Sequence, residues 1–163
     1  MSLSIQEGAD IVARRWCQVK PGEKVLIITD DSHQVEGMAL WYAVIRAHGA
    51  VSMLTIPENS SQPGHLFDTM LEFLLYNDVI IGATNFSLIT TRAVREVLVH
   101  GKRFLSLPLA TNNSQSMLTF DFLTMDPQKA ASTADGMLAA LREAHEIHVT
   151  TALGTDITCG KRG

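Results

Sequence analysis

The sequence has few of the features that mark several large classes of protein. It has only two cysteines, Cys17 and Cys159, which are too few for a disulfide framework and too far apart for a paired-cysteine metal site. Two reduced thiols are typical of a cytoplasmic protein, and we expect that localisation. Its apolar runs all fall short of the roughly 20 residues that a membrane-spanning helix needs. Glu7 and Asp10, close to the N-terminus, do not fit a secretory signal.

Charge is also scarce. Only 18% of the 163 residues are Asp, Glu, Lys or Arg, and the net charge is -4 with six histidines counted as neutral. The sequence contains no block of Lys or Arg, so it offers no electrostatic basis for binding nucleic acid. Hydrophobic residues make up 46%. Because that is slightly apolar for a free-standing domain, we expect one face to be covered by another domain or by a second subunit of a homo-oligomer.

The clearest positive signal is the segment 25–33. It begins with four apolar residues and continues with five polar ones, Thr29 to His33. A short apolar run that is bounded by polar residues is typical of a strand buried on both faces. In open α/β sheets, ligands bind beyond the carboxyl ends of the strands. The segment therefore predicts a buried strand that leads into a ligand-binding edge.

Strand and helix patterns alternate through most of the sequence. We predict strands at 25–28, 51–56, 79–83 and 103–107, and helices at 4–19, 32–48, 66–74 and 87–100. Such alternation implies right-handed crossovers between parallel strands. The predicted fold is therefore α/β, a doubly wound and mostly parallel sheet of the Rossmann or flavodoxin kind, with helices on both faces. The expected strand order is 2-1-3-4.

Residues with cap chemistry define several of these helix ends. Ser4 and Glu7 fit a capping box at the first helix. Ser87 is the expected N-cap of the fourth helix, and Gly49 is the expected left-handed residue after the second.

The C-terminal part of the sequence follows a different pattern. A short helix is predicted at 114–118, and Asp126 with Pro127 starts a long helix that runs to about residue 145. Residues 147–158 alternate around a glycine-containing turn and predict a β-hairpin. We divide the sequence into an α/β domain, 1–146, and a hairpin, 147–163, that opens a β-rich C-terminal domain. We expect that domain to be missing or truncated here.

The predicted strand order brings two loops together, because its switch point lies between the first and third strands. The candidate substrate-binding residues of this crevice are Asp30, Asp31, Ser32, His33, Thr84, Asn85 and Ser87. Two carboxylates can bind a metal or a substrate amine, but we favour one aspartate capping the next helix and the other being solvated. The helix start after Asn85 can hold an anion or a carboxylate, or it can be an ordinary connection. For His33 we favour an exposed position in the first helical turn.

Other familiar motifs do not match. The glycines form neither a dinucleotide-binding fingerprint nor a phosphate loop, which disfavours a nucleotide cofactor. The run 145–148 contains two histidines and a glutamate but lacks the spacing of a helical zinc motif, so we disfavour a metal there. No Ser-His-Asp set can be assembled from spacing.

Four stretches together resemble the N-terminal half of the aminopeptidase T-like family, also called the thermophilic metalloprotease or leucyl aminopeptidase family. They are 19–30, 48–51, 84–92 and 150–158, and the Gly-Thr-Asp hairpin of the last is the most specific. The related ring-cleaving dihydroxypyridine dioxygenases are similar in outline. In this family the metal-binding Glu, His, Tyr and Asp residues lie in the C-terminal domain. The resemblance therefore implies a divalent metal (zinc, cobalt or iron) in the missing domain and none in this chain.

The function implied by the resemblance is that of an N-terminal domain of an aminopeptidase-like metalloenzyme, inactive alone. Its substrate would be a peptide or a small molecule, and its partner its own C-terminal domain or another subunit. Relatives often carry His where this sequence has Thr90, and a hydroxyl does not titrate near neutral pH. This weakens a dioxygenase function more than a peptidase function. The alternatives are an N-terminal domain of an iron-dependent ring-cleaving dioxygenase, a non-catalytic ligand-binding or oligomerisation module, and an enzyme working through Asp30 and Asp31.

Overall fold

The computed structural model describes residues 2–58, 64–109 and 115–160. The helices are α1 Ile5–Ile11, α2 Gln34–Arg46, α3 Gly64–Asp68, α4 Leu71–Leu75, α5 Arg92–Val99 and α6 Pro127–Glu143. The strands are β1 Lys24–Asp30, β2 Ala50–Ile56, β3 Val79–Ala83, β4 Arg103–Ser106, β5 Glu146–Thr150 and β6 Asp156–Gly160. Shorter helical turns are a π segment at Val12–Trp16 and 3-10 turns at Asp31–His33, Met117–Thr119 and Asp121–Thr124. The chain forms two compact units, Met1–Thr124 and Met125–Gly163.

Four parallel strands form the sheet of the first unit in the order β2-β1-β3-β4, which confirms the predicted topology. β1 lies between β2 and β3, and Thr29 is level with Thr55 on one side and Ala83 on the other. Because the three strands are in register, their carboxyl ends meet at one edge. That edge carries the residues that follow each strand.

Helices cover both faces of the sheet, as predicted. Val25 and Ile27 of β1 join one buried cluster with side chains from α1 and α2. Leu26 and Ile28 point to the other face and join a cluster that includes Phe67. Successive side chains of a strand alternate between faces, and burying one such side chain contributes about 1.5–3 kcal/mol. The continuous apolar run of β1 is therefore what the two-sided core requires.

The capping box of α1 is confirmed. The backbone N–H of Glu7 donates to Ser4 Oγ over 3.2 Å, and the backbone N–H of Ser4 donates to Glu7 Oε2 over 2.8 Å. The bond from the Ser4 backbone, and a further one that the Ser4 hydroxyl donates to Glu7 Oε2 over 2.8 Å, lower the pKa of Glu7. The predicted first helix is α-helical only to Ile11, and the π segment continues it.

The predicted start of the fourth helix is wrong. α5 begins at Arg92, and Thr91 is its N-cap, accepting a hydrogen bond from the Val94 N–H over 3.3 Å. Ser87 lies in the preceding loop, where its hydroxyl lies 2.8 Å from that of Ser106. Residue type does not distinguish Ser87 from Thr91 as a cap, because both carry a short hydroxyl side chain.

The end of α2 also differs from the prediction. The positive φ belongs to His48, at 61°, rather than to Gly49. A Cβ built at Gly49 would lie 2.8 Å from Val44 Cγ1 and 2.9 Å from Val19 Cγ1. Gly49 is therefore needed for the close approach of two side chains, and the left-handed turn is displaced to the residue before it.

Two other helical predictions are revised. The predicted third helix is divided into α3 and α4. Of the short helix predicted at 114–118, Ser114 lies outside the described residues, and a 3-10 turn at Met117–Thr119 overlaps its end.

The second unit has the predicted elements. Asp126 caps α6, accepting hydrogen bonds from the backbone N–H groups of Gln128 at 2.9 Å and Lys129 at 3.3 Å. β5 and β6 form an antiparallel hairpin, and Gly154 in its turn has a φ of 98°. The compact unit includes α6 together with the hairpin, whereas the sequence prediction places its domain boundary after that helix.

None of the helices in the described parts of the chain is long and apolar enough to cross a lipid bilayer.

Candidate functional site

The carboxyl edge of the sheet carries a buried aspartate that joins two loops. Asp30, the last residue of β1, is 2% exposed. Its Oδ1 lies 2.6 Å from Nδ1 of His33, and its Oδ2 accepts a hydrogen bond from the backbone N–H of Asn85 over 2.5 Å. Both oxygens are therefore engaged by groups from the loops after β1 and β3. A helix-capping role is wrong for Asp30, while Asp31 is exposed, as expected for the other aspartate.

His33 is not the exposed first-turn histidine that the sequence favoured. Its side chain is only 15% exposed, and the hydroxyl of Thr29 donates to its backbone carbonyl over 3.0 Å. An ionised carboxylate can only accept hydrogen bonds, so Asp30 requires a proton on Nδ1 of His33. Nε2 is then the ring nitrogen that is not engaged with Asp30.

Glu58 belongs to the same edge and was not predicted. It follows β2, and its Oε1 accepts a hydrogen bond from Asn85 Nδ2 over 3.0 Å. Its Oε2 accepts a further bond from the hydroxyl of Ser32. A usable signal was its position just after the second strand, which the 2-1-3-4 order places beside the first.

Four of the predicted site residues thus share one hydrogen-bonded chain, in which Glu58 is the only unpredicted member among the described residues. The predicted members are Asp30, Ser32, His33 and Asn85. Thr84 is buried, and its hydroxyl donates to the Phe86 carbonyl over 2.6 Å, which shapes the loop after β3. Thr84 and Ser87 therefore position the loop, whereas the four connected residues carry the polar groups at this edge of the sheet.

The described residues do not offer a metal site. Across residues 2–58, 64–109 and 115–160 there is no group of three or more His, Cys, Asp or Glu side chains suited to an ion. In the 145–148 run, His148 forms a pair instead, with Nε2 2.7 Å from Asp156 Oδ1 across the hairpin. The divalent metal implied by the family resemblance does not fit these residues.

The arrangement has a definite chemical capacity. A buried carboxylate orients an imidazole, and a hydroxyl and a carboxamide donate hydrogen bonds beside it. An oriented base of this kind can take a proton from a bound hydroxyl and return it. This geometry is compatible with proton exchange between the edge and a polar ligand.

Comparisons with known proteins agree with the predicted resemblance. A solved structure of 2,5-dihydroxypyridine dioxygenase from Pseudomonas putida KT2440 matches with a TM-score of 0.62 and 16% identity, over 98% of this chain and 48% of that one. Wild-type AmpT from Thermus thermophilus matches with a TM-score of 0.55 and 12% identity, over 96% of this chain and 53% of that one. At these identities the likeness shows the fold. The chain spans about half the length of each structure.

Sequence comparison adds the family. No curated protein sequence matches the chain. The model of the family described as NicX, 2,5-dihydroxypyridine 5,6-dioxygenase, matches residues 12–163. Because that match covers nearly the whole chain, the protein belongs to the 2,5-dihydroxypyridine 5,6-dioxygenase family.

Proposed function

We propose that residues 1–163 form the N-terminal α/β part of a metal-dependent enzyme that opens the ring of a hydroxylated pyridine. The crevice beside Asp30 would be one wall of its substrate pocket. The observation that carries this proposal is the pair formed by Asp30 and His33, with Oδ1 and Nδ1 2.6 Å apart. Such a pair suits the ionisable hydroxyl of a hydroxypyridine, and the family name supplies that substrate class.

His33 would handle the substrate proton. A ring hydroxyl placed against Nε2 gives up its proton to the imidazole, and the charge of Asp30 stabilises the resulting imidazolium. The Asn85 N–H fixes the other oxygen of Asp30, so the carboxylate keeps its orientation throughout. A positioned acid or base of this kind contributes typically about 10²–10⁴-fold to rate.

The metal would lie elsewhere in the enzyme. The resemblance implies a divalent ion, and the described residues do not supply its ligands. We place it in the part of the enzyme that corresponds to the remaining half of the two solved structures. In this proposal the present residues bind, orient and exchange a proton with the substrate.

An apolar face of the hairpin favours a further domain or a second subunit as a binding partner. Ile147 is paired with Cys159, and Val149 with Ile157, so the alternation of the strands puts these four side chains on one face. Val149 is 48% exposed and Ile157 is 53% exposed. A partner that covers this face would remove apolar surface from water.

Turnover by the full-length natural protein tests the proposal. With iron(II) supplied, 2,5-dihydroxypyridine should be lost from the ultraviolet spectrum together with uptake of dioxygen. His33→Gln should lower kcat/KM by about 10²-fold or more, with an unchanged circular dichroism spectrum. His100→Gln, at an exposed helix end, is the matched control and should behave as the natural protein does. Absence of ring cleavage, or full activity of His33→Gln, would overturn the proposal.

Peptide hydrolysis is the second candidate function, because Thr90 weakens a dioxygenase function more than a peptidase function. This residue is exposed in the turn before α5, where the resemblance places a histidine in relatives. A dioxygenase that needs a titrating group there would be impaired by a hydroxyl. Hydrolysis of leucine amide with zinc or cobalt, without ring cleavage, would select this function. Ring cleavage that increases in Thr90→His would exclude it.

A further inference from the structure

Glu58 accepts hydrogen bonds from two side chains that follow two different strands. Ser32 lies just after β1 and donates its hydroxyl to one carboxylate oxygen. Asn85 lies just after β3 and donates Nδ2 to the other, over 3.0 Å. Two donors from separate loops thus converge on a single carboxylate.

The Glu58 bonds differ in environment from those of Asp30. Both partners of Asp30 lie in a part-buried region, and Asp30 itself is 2% exposed. Both bonds of Glu58 are solvent-exposed, and so is the Glu58 residue. An exposed hydrogen bond exchanges readily with water, so its net contribution to the folded state is small. Glu58 can therefore leave while the bonds of Asp30 stay in place.

We infer that Glu58 is an internal stand-in for the ligand, and that a ligand with negatively charged oxygen displaces it from Ser32 and Asn85. This inference rests on the proposed function, for which it names the group that the crevice recognises. The ligand would bring a carboxylate or a ring oxyanion to the Ser32 hydroxyl and the Asn85 carboxamide. The same position lies beside the pair of Asp30 and His33, because Asn85 donates hydrogen bonds to both Asp30 and Glu58.

When such a ligand displaces Glu58, the two donors still face negatively charged oxygen atoms. One anionic oxygen pair replaces another, and the carboxylate of Glu58 moves to water, where a charge is well solvated. Glu58 then sets a threshold for binding, because a ligand must compete with it. A ligand without a charged oxygen offers weaker acceptors and is selected against.

The test is a titration with sodium acetate, followed through the Asn85 side-chain amide signals in ¹⁵N–¹H NMR spectra of the protein. Glu58→Ala removes the competitor, so the acetate dissociation constant should fall by about 2- to 10-fold, as the loss of such a bond implies. Glu58→Gln keeps one oxygen acceptor and should give a smaller change. Glu72→Ala, an exposed glutamate of α4, removes the same charge elsewhere and should leave the constant unchanged.

Three results would overturn the inference: an unchanged constant in Glu58→Ala, equal constants in Glu58→Ala and Glu58→Gln, or an acetate dissociation constant in the Glu58→Ala background that Ser32→Ala does not raise. Equal constants would mean that only the charge of Glu58 matters. The titration does not depend on turnover. Tighter acetate binding without ring cleavage would thus leave the anion site standing and remove the dioxygenase function.

Discussion

The backbone N–H of Asn85 donates a hydrogen bond to Oδ2 of Asp30 over 2.5 Å, although the two residues are 55 positions apart. This bond links the loop after β3 to the end of β1. Since Oδ1 of the same carboxylate binds His33, the position of the imidazole depends on the alignment of two parallel strands. The crevice is therefore a product of the sheet register rather than of a local motif.

Asp30→Asn should destabilise the fold. An asparagine has one oxygen, which cannot serve both His33 and the Asn85 N–H, and a buried polar group would lose its partner. We expect the free energy of unfolding in urea to fall by about 1–3 kcal/mol. Asp31→Asn is the matched control at an exposed neighbouring position, with an expected change within about 0.5 kcal/mol. Equal losses in the two variants would contradict the role of Asp30.

Gly8→Ala should also destabilise the protein. Gly8 is buried in α1, and a Cβ there would lie 1.8 Å from the backbone oxygen of Leu118, so the 3-10 turn must shift. We expect a loss of about 1–3 kcal/mol in the same measurement. Gly136→Ala is the control in α6, where the added Cβ meets nothing within 4 Å among the described residues. It should be stabilising by about 0.5–1 kcal/mol. A neutral Gly8→Ala would contradict this packing.

His48→Gly should stabilise the protein. His48 has a φ of 61°, a left-handed conformation that costs a side-chain-bearing residue about 1–2 kcal/mol. After the entropy of a glycine is subtracted, a gain of up to about 1 kcal/mol should remain, measurable as a higher Tm. His100 ends α5 with a φ of -80°, so His100→Gly should lower the Tm. The left-handed turn would be in doubt if both variants moved the Tm in the same direction.

The two cysteines should differ sharply in reactivity. Burial raises the pKa of the Cys17 thiol to about 12, although the charge of Arg103 partly opposes it. Cys159 is exposed. At pH 8 iodoacetamide should label Cys159 in the folded protein and Cys17 only after unfolding, as mass spectrometry would show, because the thiolate is the reactive form. Labelling of Cys17 at native conditions in Cys159→Ser would contradict its burial.

The raised pKa of Cys17 also makes stability depend on pH. The folded state holds the thiol proton more tightly than the unfolded chain, in which the thiol has a pKa of about 8.5. The stabilising contribution is therefore complete below that value and is lost as the pH rises toward the folded value of about 12. The free energy of unfolding should therefore fall between about pH 8 and pH 10, where an ordinary thiol loses its proton. This fall should be smaller in Cys17→Ala.

The sheet was predictable because its signals are local. β1 and β3 are short apolar runs, and a strand buried on both faces shows this pattern without knowledge of its neighbours. The alternation with helices indicated a doubly wound sheet, of which 2-1-3-4 is one common order. The capping box of Ser4 and Glu7 was equally accessible, since both its bonds join residues three positions apart.

The site was only partly predictable, because its bonds are long-range. Asp30 has the residue type of a helix cap, and only the register of β1 and β3 shows that the Asn85 N–H takes its carboxylate. Glu58 is 26 and 27 positions from its two partners, so its role follows from the sheet alone. Gly49 illustrates the same limit, because the space it leaves for Val19 becomes visible only after packing.

The central position of β1 sets a lifetime for the crevice. β1 is paired with β2 over its whole length and with β3 over most of it, so its amide protons exchange with deuterium only when the sheet opens. Asp30 ends this strand, level with Ile56 of β2. The carboxylate that orients the imidazole is therefore attached to the strand whose amides should exchange most slowly.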